Sequence, residues 1–439
     1  MKSAGNPTAE STFHLRAFEK SDSTWLYESR PAAKMMKPSR KPTAGRNDER
    51  RRTLEQRRNA KMASSAHAYV RGSTVKFYEW LDKHDTRAVP EGPPVWICGD
   101  CHLGNLGPLA DAAGKIQVQI RDLDQTVIGN PNHDLIRLAL SLSSAARGSD
   151  LPGVTTAHML EQMIEGYESA LRTPRHTPKE TRRPECVRVV MRRATRRTWK
   201  HLARERLRDV KPKIPLGERF WPLTRAESRA VDELFDDEAV RKLVVSLKSR
   251  DDKAKIEVLD AAYWMKGCSS LGKLRVAVLL NVANGTRAKD EDYCLIDIKE
   301  ASAAAAPRAP RAAMPKDNGK RVVEGAKHLS PALGGRMMAA RLLSRSVFIR
   351  ELMPQDLKLK VDQLTREEAV SAARFLANVV GQAHARQMDI ATRKEFLASL
   401  RGHRSKRLDA PSWLWSSVVD LAAIHEAAYL EHCRTVALT

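Results

Sequence analysis

The sequence predicts an α+β fold, and three observations carry that prediction. Two long helical patterns, over residues 134–146 and 366–387, repeat apolar side chains at the spacing of a helix face. Two β-rich runs, 274–282 and 293–298, flank the turn signal Asn284-Gly285 and read as a hairpin. Two shorter strands, 94–98 and 116–120, bracket a polar loop, the second alternating Ile116, Val118 and Ile120 with Gln117 and Gln119. With 439 residues, 42% of them apolar, the chain can bury a sizeable core. Its length fits two or three structural units, or one large fold with insertions.

Taken in order, residues 1–59 are polar, with Pro31, Pro38, Pro42 and a basic run from Arg50 to Arg58, and read as a mobile basic arm that turns helical near Glu49. Residues 60–170 hold apolar and aromatic positions around Arg71-Gly72, then the two short strands, then a helix started by Asn132-His133-Asp134. Residues 171–255 read as a basic helical insertion or linker, because 171–219 carry 17 Lys and Arg against five acids. Residues 256–355 hold a Gly-rich turn at 267–272, the hairpin, an Ala- and Pro-rich stretch at 301–313 that reads as a flexible connection, a helix at 321–329 and a strand at 347–352. Residues 356–439 are helical, with Trp413 and Trp415 as packing aromatics. No internal repeat is visible.

The chain carries 76 Lys and Arg against 53 Asp and Glu, a net charge of +23, which favours an anionic partner: nucleic acid, an acidic membrane surface or a phosphorylated small molecule. No apolar run approaches the ~20 residues that span a bilayer, and the first residues lack a signal-peptide layout, so a cytoplasmic protein with no membrane span is expected. Six scattered cysteines make no disulfide framework. Cys98 and Cys101 have C-x-x-C spacing, but neither a second Cys pair nor a His pair completes a zinc site.

The strongest constellation is Gly99-Asp100-Cys101-His102-Leu103-Gly104-Asn105 after one strand and Arg121-Asp122-Leu123-Asp124 after the next. A loop carboxylate with an amide five positions on can place Asp100 toward a hydroxyl nucleophile while the Asn105 oxygen faces a cation. Asp122 supplies a hard oxygen suited to Mg²⁺, with Asp124 as a second ligand. The plainer alternative is a polar turn, since Asp, Asn and Gly are ordinary loop residues.

These two motifs resemble the catalytic loop of the protein-kinase-like superfamily, especially the aminoglycoside phosphotransferase type, in which G-D-x-H-x-x-N is followed by I-D-x-x and G-D/N-P-x-x-D-L. Gly129-Asn130-Pro131 and Asp134-Leu135 stand at the matching spacing, seven and twelve positions after Asp122. The resemblance makes Asp134 a structural aspartate holding the loop by backbone hydrogen bonds. More closely, the chain resembles the uncharacterised bacterial family called domain of unknown function 2252, through residues 68–72, 99–107, 122–124, 134–142, 298–301, 321–325 and 348–352. Members of that family usually have Phe where Leu106 and Leu123 stand, and Glu at Gln125.

The resemblance implies a two-lobed kinase-like fold, circularly permuted because the catalytic loop precedes the nucleotide-binding half, with extra helices. Residues 60–170 and 356–439 would form the large lobe, and 256–355 the small one. Gly267, Ser269, Ser270 and Gly272 would approach the nucleotide by backbone N–H groups, Lys299 would reach its phosphates and Glu324 would pair with Lys299. Residues 347–352 would be the hinge strand. His102 either shapes the loop or contacts phosphate, and Arg71 either reaches phosphate or acceptor or closes an ion pair. The implied activity is ATP- and Mg²⁺-dependent phosphoryl transfer to a hydroxyl of an unidentified small acceptor. Two rivals stand beside it: a non-catalytic protein on the same scaffold whose basic segments bind nucleic acid, and a nucleotidyl transferase using the same residues.

Overall fold

The computed structural model describes residues 47–83, 89–173, 183–197, 213–247, 250–266, 271–283, 291–357, 364–404 and 408–438. The Gly-rich residues Gly267, Ser269 and Ser270, the turn Asn284-Gly285 and most of the basic arm lie outside them. Among the described residues are 13 helices and ten strands, every paired strand antiparallel. The α+β class therefore holds.

Three helices open the described chain: α1 (Asn47–Ala63), α2 (Ala66–Gly72) and α3 (Thr74–Lys83). Ser65 caps α2 by accepting from the Ala68 amide at 3.1 Å. Four short strands follow, β1 (Val95–Ile97), β2 (Leu106–Ala110), β3 (Ile116–Ile120) and β4 (Val127–Gly129), pairing as β1 with β4 and β2 with β3. The sequence reading missed β2, because Leu106-Gly107-Pro108 looks like loop.

The next helix, α4 (Pro131–Gly148), begins three residues before Asp134: Asn130 is its cap, accepting from the Asn132 amide at 3.0 Å, with Pro131 at the first helical position. It is followed by α5 (Gly153–Arg172) and α6 (Glu185–Arg196), then by β5 (Phe220–Trp221), α7 (Arg225–Asp236) and α8 (Glu238–Val245). The sequence reading placed a basic helical insertion or linker over 171–255; the helices are there, and in addition β5 joins a sheet against which α7 and α8 bury Val231, Phe235, Val240 and Val244.

That sheet is completed by β6 (Lys255–Trp264), β7 (Arg275–Ala283) and β8 (Glu291–Glu300), then, after α9 (Asn318–Leu329) and α10 (Pro331–Gly334), by β9 (Met337–Leu342) and β10 (Arg345–Leu352). Its order is β5-β6-β7-β8-β10-β9. One face is apolar and packs under α1, α7 and α8, with Leu54, Val276, Val278, Ile296, Ile298 and Ile349 in its core. The other carries Lys299 and Asp297 on β8, Arg275 on β7 and Arg350 on β10, as the register dictates. Successive residues of a strand alternate between faces, so a lysine and two arginines share the side opposite the isoleucines.

Helices α11 (Arg366–Ala385), α12 (Ile390–Gly402) and α13 (Ser412–Ala437) end the chain. Two glycines let α5 and α11 touch: a Cβ on Gly166 would fall 2.0 Å from the Arg374 carbonyl oxygen, and one on Gly381 2.8 Å from Ala170 Cβ. The helical core around α4, α5 and α11 reaches Phe348 at the sheet and Trp413 in α13, whereas Trp415 points outward. No helix among the described residues is long and apolar enough to cross a membrane.

One further expectation is corrected. Residues 301–313 are packed in place, because Ala301 donates to the Ser346 carbonyl at 2.9 Å, Ala305 to Gln125 Oε1 at 2.6 Å and Ala309 to the Ile128 carbonyl at 2.8 Å. Gln125, where a Glu was expected, thus has a neutral role as an acceptor. Part of the basic charge is also internal: Arg50 pairs with Glu227 at 2.7 Å and covers the Tyr263 ring, while Arg57 donates to the Glu218 carbonyl at 2.7 Å.

Candidate active site

The loop after β1 is held from three sides. Asp134, fully buried at the start of α4, accepts from the Cys98 and Gly99 amides at 2.7 and 2.9 Å and from His384 Nε2 of α11 at 3.1 Å. His384 Nδ1 in turn meets the Tyr167 hydroxyl of α5 at 2.8 Å. Gln387 clamps Trp96 from both ends, and Tyr78 of α3 donates to the Gly99 carbonyl at 2.6 Å. Gly99 has φ +73°, and a Cβ there would fall 2.1 Å from the Gln125 carbonyl oxygen, so only glycine turns the chain here. Cys98 and Cys101 flank Asp100 as buried thiols; contact with Cys101, then burial, pushes the Cys98 thiol well above its ordinary range. They pack.

Asp100 is 7% exposed. Its Oδ1 accepts from Arg137 Nη2 at 2.8 Å and Nε at 3.1 Å, and Arg137, itself fully buried in α4, also donates to the Val70 carbonyl at 2.8 Å. Burial pushes the Asp100 carboxyl up, and the Arg137 guanidinium only partly offsets it. The second oxygen, Oδ2, stands 3.8 Å from His102 Nε2. Burial first, then Arg71 and Arg137, hold His102 well below its usual range. Asn105 donates its amide to the Asp100 carbonyl at 2.9 Å, which leaves its Oδ1 as an oxygen for a cation.

Across from this loop stands Lys299, 2% exposed on β8. Its Nζ pairs with Asp124 Oδ2 and lies 3.4 Å from Asp122 Oδ1. Residues 177 positions apart thereby meet. Burial raises both carboxyls, but around Asp122 the charges of Lys299, Arg350 and Arg275 outweigh it and hold that group well below the usual carboxylate range. Asp124 instead goes up, from burial and then from the negative charge of Asp122. Asp124 Oδ1 is shielded from solvent and has no hydrogen-bond partner. Beside it, Arg275 and Arg350 both grip the fully buried Asp297, at 2.6 and 3.0 Å.

The residues that would hold Mg²⁺ are hard oxygen donors. The buried Asp124 oxygen without a partner, the Asp122 carboxylate with 43% of its side chain exposed, and the Asn105 amide oxygen are hard donors of the kind that ion takes with one or two carboxylates and phosphate. Among the described residues no group of three or more His, Cys, Asp or Glu is gathered for a metal, so an all-protein cage is not what these residues build.

Two expected partners are elsewhere. Glu324 does not reach Lys299: it lies on the outer side of α9 with Lys327 and His328, at 3.3 and 3.4 Å. The inward face of α9 is set by Gly325, whose missing Cβ admits Thr126, and by Arg321, which donates to the carbonyls of Asp124, Thr126 and Ser302. Gly272, with φ +97°, lines a cavity of about 430 Å³ with Tyr263 and Arg345 on the apolar side of the sheet, away from Lys299. Gly267, Ser269 and Ser270 lie outside the described residues. Sequence reasoning missed Arg137, His384 and Arg321. The signal for Arg137 was present, as a lone charge inside the apolar run Leu135-Ile136-Arg137-Leu138.

Fold and site together define a mixed α+β protein in which loops after two short strands bring carboxylates to a buried lysine of an antiparallel sheet. The chain belongs to the family described as an uncharacterized protein conserved in bacteria (DUF2252), whose model matches residues 50–435. No curated protein and no solved structure matches it.

Proposed function

We propose that this protein is an ATP- and Mg²⁺-dependent phosphotransferase on a permuted kinase-like scaffold. The observation that carries the reading is Lys299, buried on the third strand of the β6-β7-β8 run and 3.4 Å from Asp122. A strand lysine beside a metal-binding aspartate is what phosphoryl transfer requires to hold a triphosphate. The order of parts supports it: turn, lysine strand, helix α9, then β10 beside the lysine strand, all after the Asp100 loop.

In this reading Lys299 releases Asp124 to pair with phosphate oxygens, and Asp122, Asp124 and Asn105 hold Mg²⁺, which when bound neutralises charge on the phosphates. Arg137 fixes Asp100 by Oδ1 and leaves Oδ2 to take the proton of the acceptor hydroxyl, whose oxygen bonds to the γ-phosphorus as ADP leaves. His102, with Nε2 3.8 Å from Asp100 Oδ2, flanks the reacting carboxylate.

A second reading is nucleotidyl transfer by the same residues, Lys299, Asp122 and Asp124. Thermal-shift titration with Mg-ATP tests the common site: the wild type should be stabilised, and Asp122→Ala and Lys299→Ala should each lose most of the shift. No shift in the wild type would remove both readings. Product mass then separates an added phosphate from an added nucleotide.

A further inference from the structure

We infer that the acceptor side of the site is an anion-binding subsite built on Arg71, and that the acceptor carries a phosphate or carboxylate in addition to its reacting hydroxyl. The word acceptor rests on the phosphotransfer reading; the anion site does not.

Arg71 sits in the last turn of α2, and its guanidinium lies against the loop that carries Asp100. A Cβ on Gly104 would meet Nη2 at 2.8 Å, Cζ at 2.9 Å and Nε at 3.0 Å, so the missing side chain at Gly104 makes room for this group. The other cations near the loops have partners: Arg137 has Asp100, Lys299 has Asp122 and Asp124, Arg275 and Arg350 have Asp297, and Arg121 donates Nη2 to the Asp356 carbonyl at 3.0 Å while its Nε stays unpaired. Arg71 has no ion pair or hydrogen bond among the described residues, although its Nε is shielded from solvent. The remaining carboxylate nearby, Asp100, has its Oδ1 engaged by Arg137.

A guanidinium is a planar fork of donors, and a shielded donor without an acceptor costs free energy that a carboxylate or phosphate would recover. The neighbouring His102 ring adds a second unmatched group. It is 5% exposed, and its Nδ1 has no hydrogen-bond partner. A shielded guanidinium Nε without an acceptor, in the space that Gly104 leaves beside the Asp100 loop, marks a place prepared for a ligand with acceptor oxygens. Among the described residues Arg71 thus closes no internal ion pair, one of the two roles its sequence position allowed.

Calorimetric titration of the full-length protein with inorganic phosphate at low ionic strength tests this without nucleotide. The wild type should show saturable binding that weakens about tenfold or more in Arg71→Gln, as expected for loss of a charge-assisted contact. Gly104→Ala, which displaces the guanidinium while keeping its charge, should weaken phosphate similarly, and Arg434→Gln, an exposed arginine of α13 outside the site, should leave that affinity within about twofold. Melting temperatures without phosphate show whether each variant is folded. Phosphate affinity unchanged in both Arg71→Gln and Gly104→Ala, no binding by folded wild type, or an equal loss in Arg434→Gln would overturn the inference. A wild type that takes phosphate through Arg71 but shows no Mg-ATP binding would sink the phosphotransfer reading and leave the anion site standing.

Discussion

The two halves of the site are built on opposite principles. Around Asp134 and Arg137 each charge is answered from within: two backbone amides and a histidine on one carboxylate, a carbonyl and Asp100 on the arginine, of which Nη1 alone lacks a partner, all in a dry helical core. Around Lys299 the charges crowd without complete answers. Two carboxylates share one ammonium, one carboxylate oxygen lacks a partner, and Asp122 opens to water. The first half has the properties of a frame, and the second those of a place where charge is to be exchanged for a ligand.

The largest effect expected from this contrast falls on the frame. Arg137→Met keeps the bulk of the side chain but leaves Asp100 buried with no cation, and removing one partner of a buried pair costs about 3–5 kcal/mol. Denaturant unfolding should show that loss, and Asp100→Asn on the same background should recover part of it. If Arg137→Met costs less than about 1 kcal/mol, the pair is more hydrated than its burial implies, and the frame is not rigid in the sense argued.

Next comes the charged half, and it should show itself through pH. Asp122 has a carboxyl held below its ordinary value in the fold, so its stabilising contribution is present above the unfolded value near 4 and is lost as pH falls toward the folded one. Lys299→Ala removes the leading cation behind that depression. The wild type should therefore exceed this variant by about 1–2 kcal/mol at neutral pH, a modest figure because water screens the exposed Asp122, and the gap should close below about pH 4. Melting both proteins from pH 3 to pH 8 checks the sign. A gap that is constant across that range would mean that Lys299 contributes by packing alone.

How much of this was legible in the sequence follows the same division. The motif residues Asp100, Asn105, Asp122 and Asp124 were readable because loop carboxylates after short strands leave a linear pattern, and Lys299 was readable from its place on a β-rich run. The frame was not, since what makes Arg137 or His384 structural is the element each meets, over distances of 37 and 250 residues. Similarly, Phe220 and Trp221 look like isolated aromatics in a basic stretch until β5 pairs with β6. The Ala- and Pro-rich stretch 301–313 was misread because low complexity usually means a free linker, whereas here its backbone amides find acceptors at Ser346, Gln125 and Ile128.

The smallest expected effect is at Glu324, and it tests whether the two halves are already in their working arrangement. Its side chain is 39% exposed, and its contacts are to Lys327 and His328 one turn along α9, of the kind worth only a few tenths of a kcal/mol. Glu324→Ala should change stability by less than about 0.5 kcal/mol and leave any Mg-ATP stabilisation equal to that of the wild type. An alternative geometry gives a different result. If α9 turned so that Glu324 faced the sheet when nucleotide binds, Lys299 would leave Asp124 for Glu324, and Glu324→Ala would lose as much Mg-ATP stabilisation as Lys299→Ala. Such a turn would pull Arg321 from the carbonyls of Asp124, Thr126 and Ser302 and drive the helix into Thr126 at Gly325, so the packing of α9 argues for the first outcome.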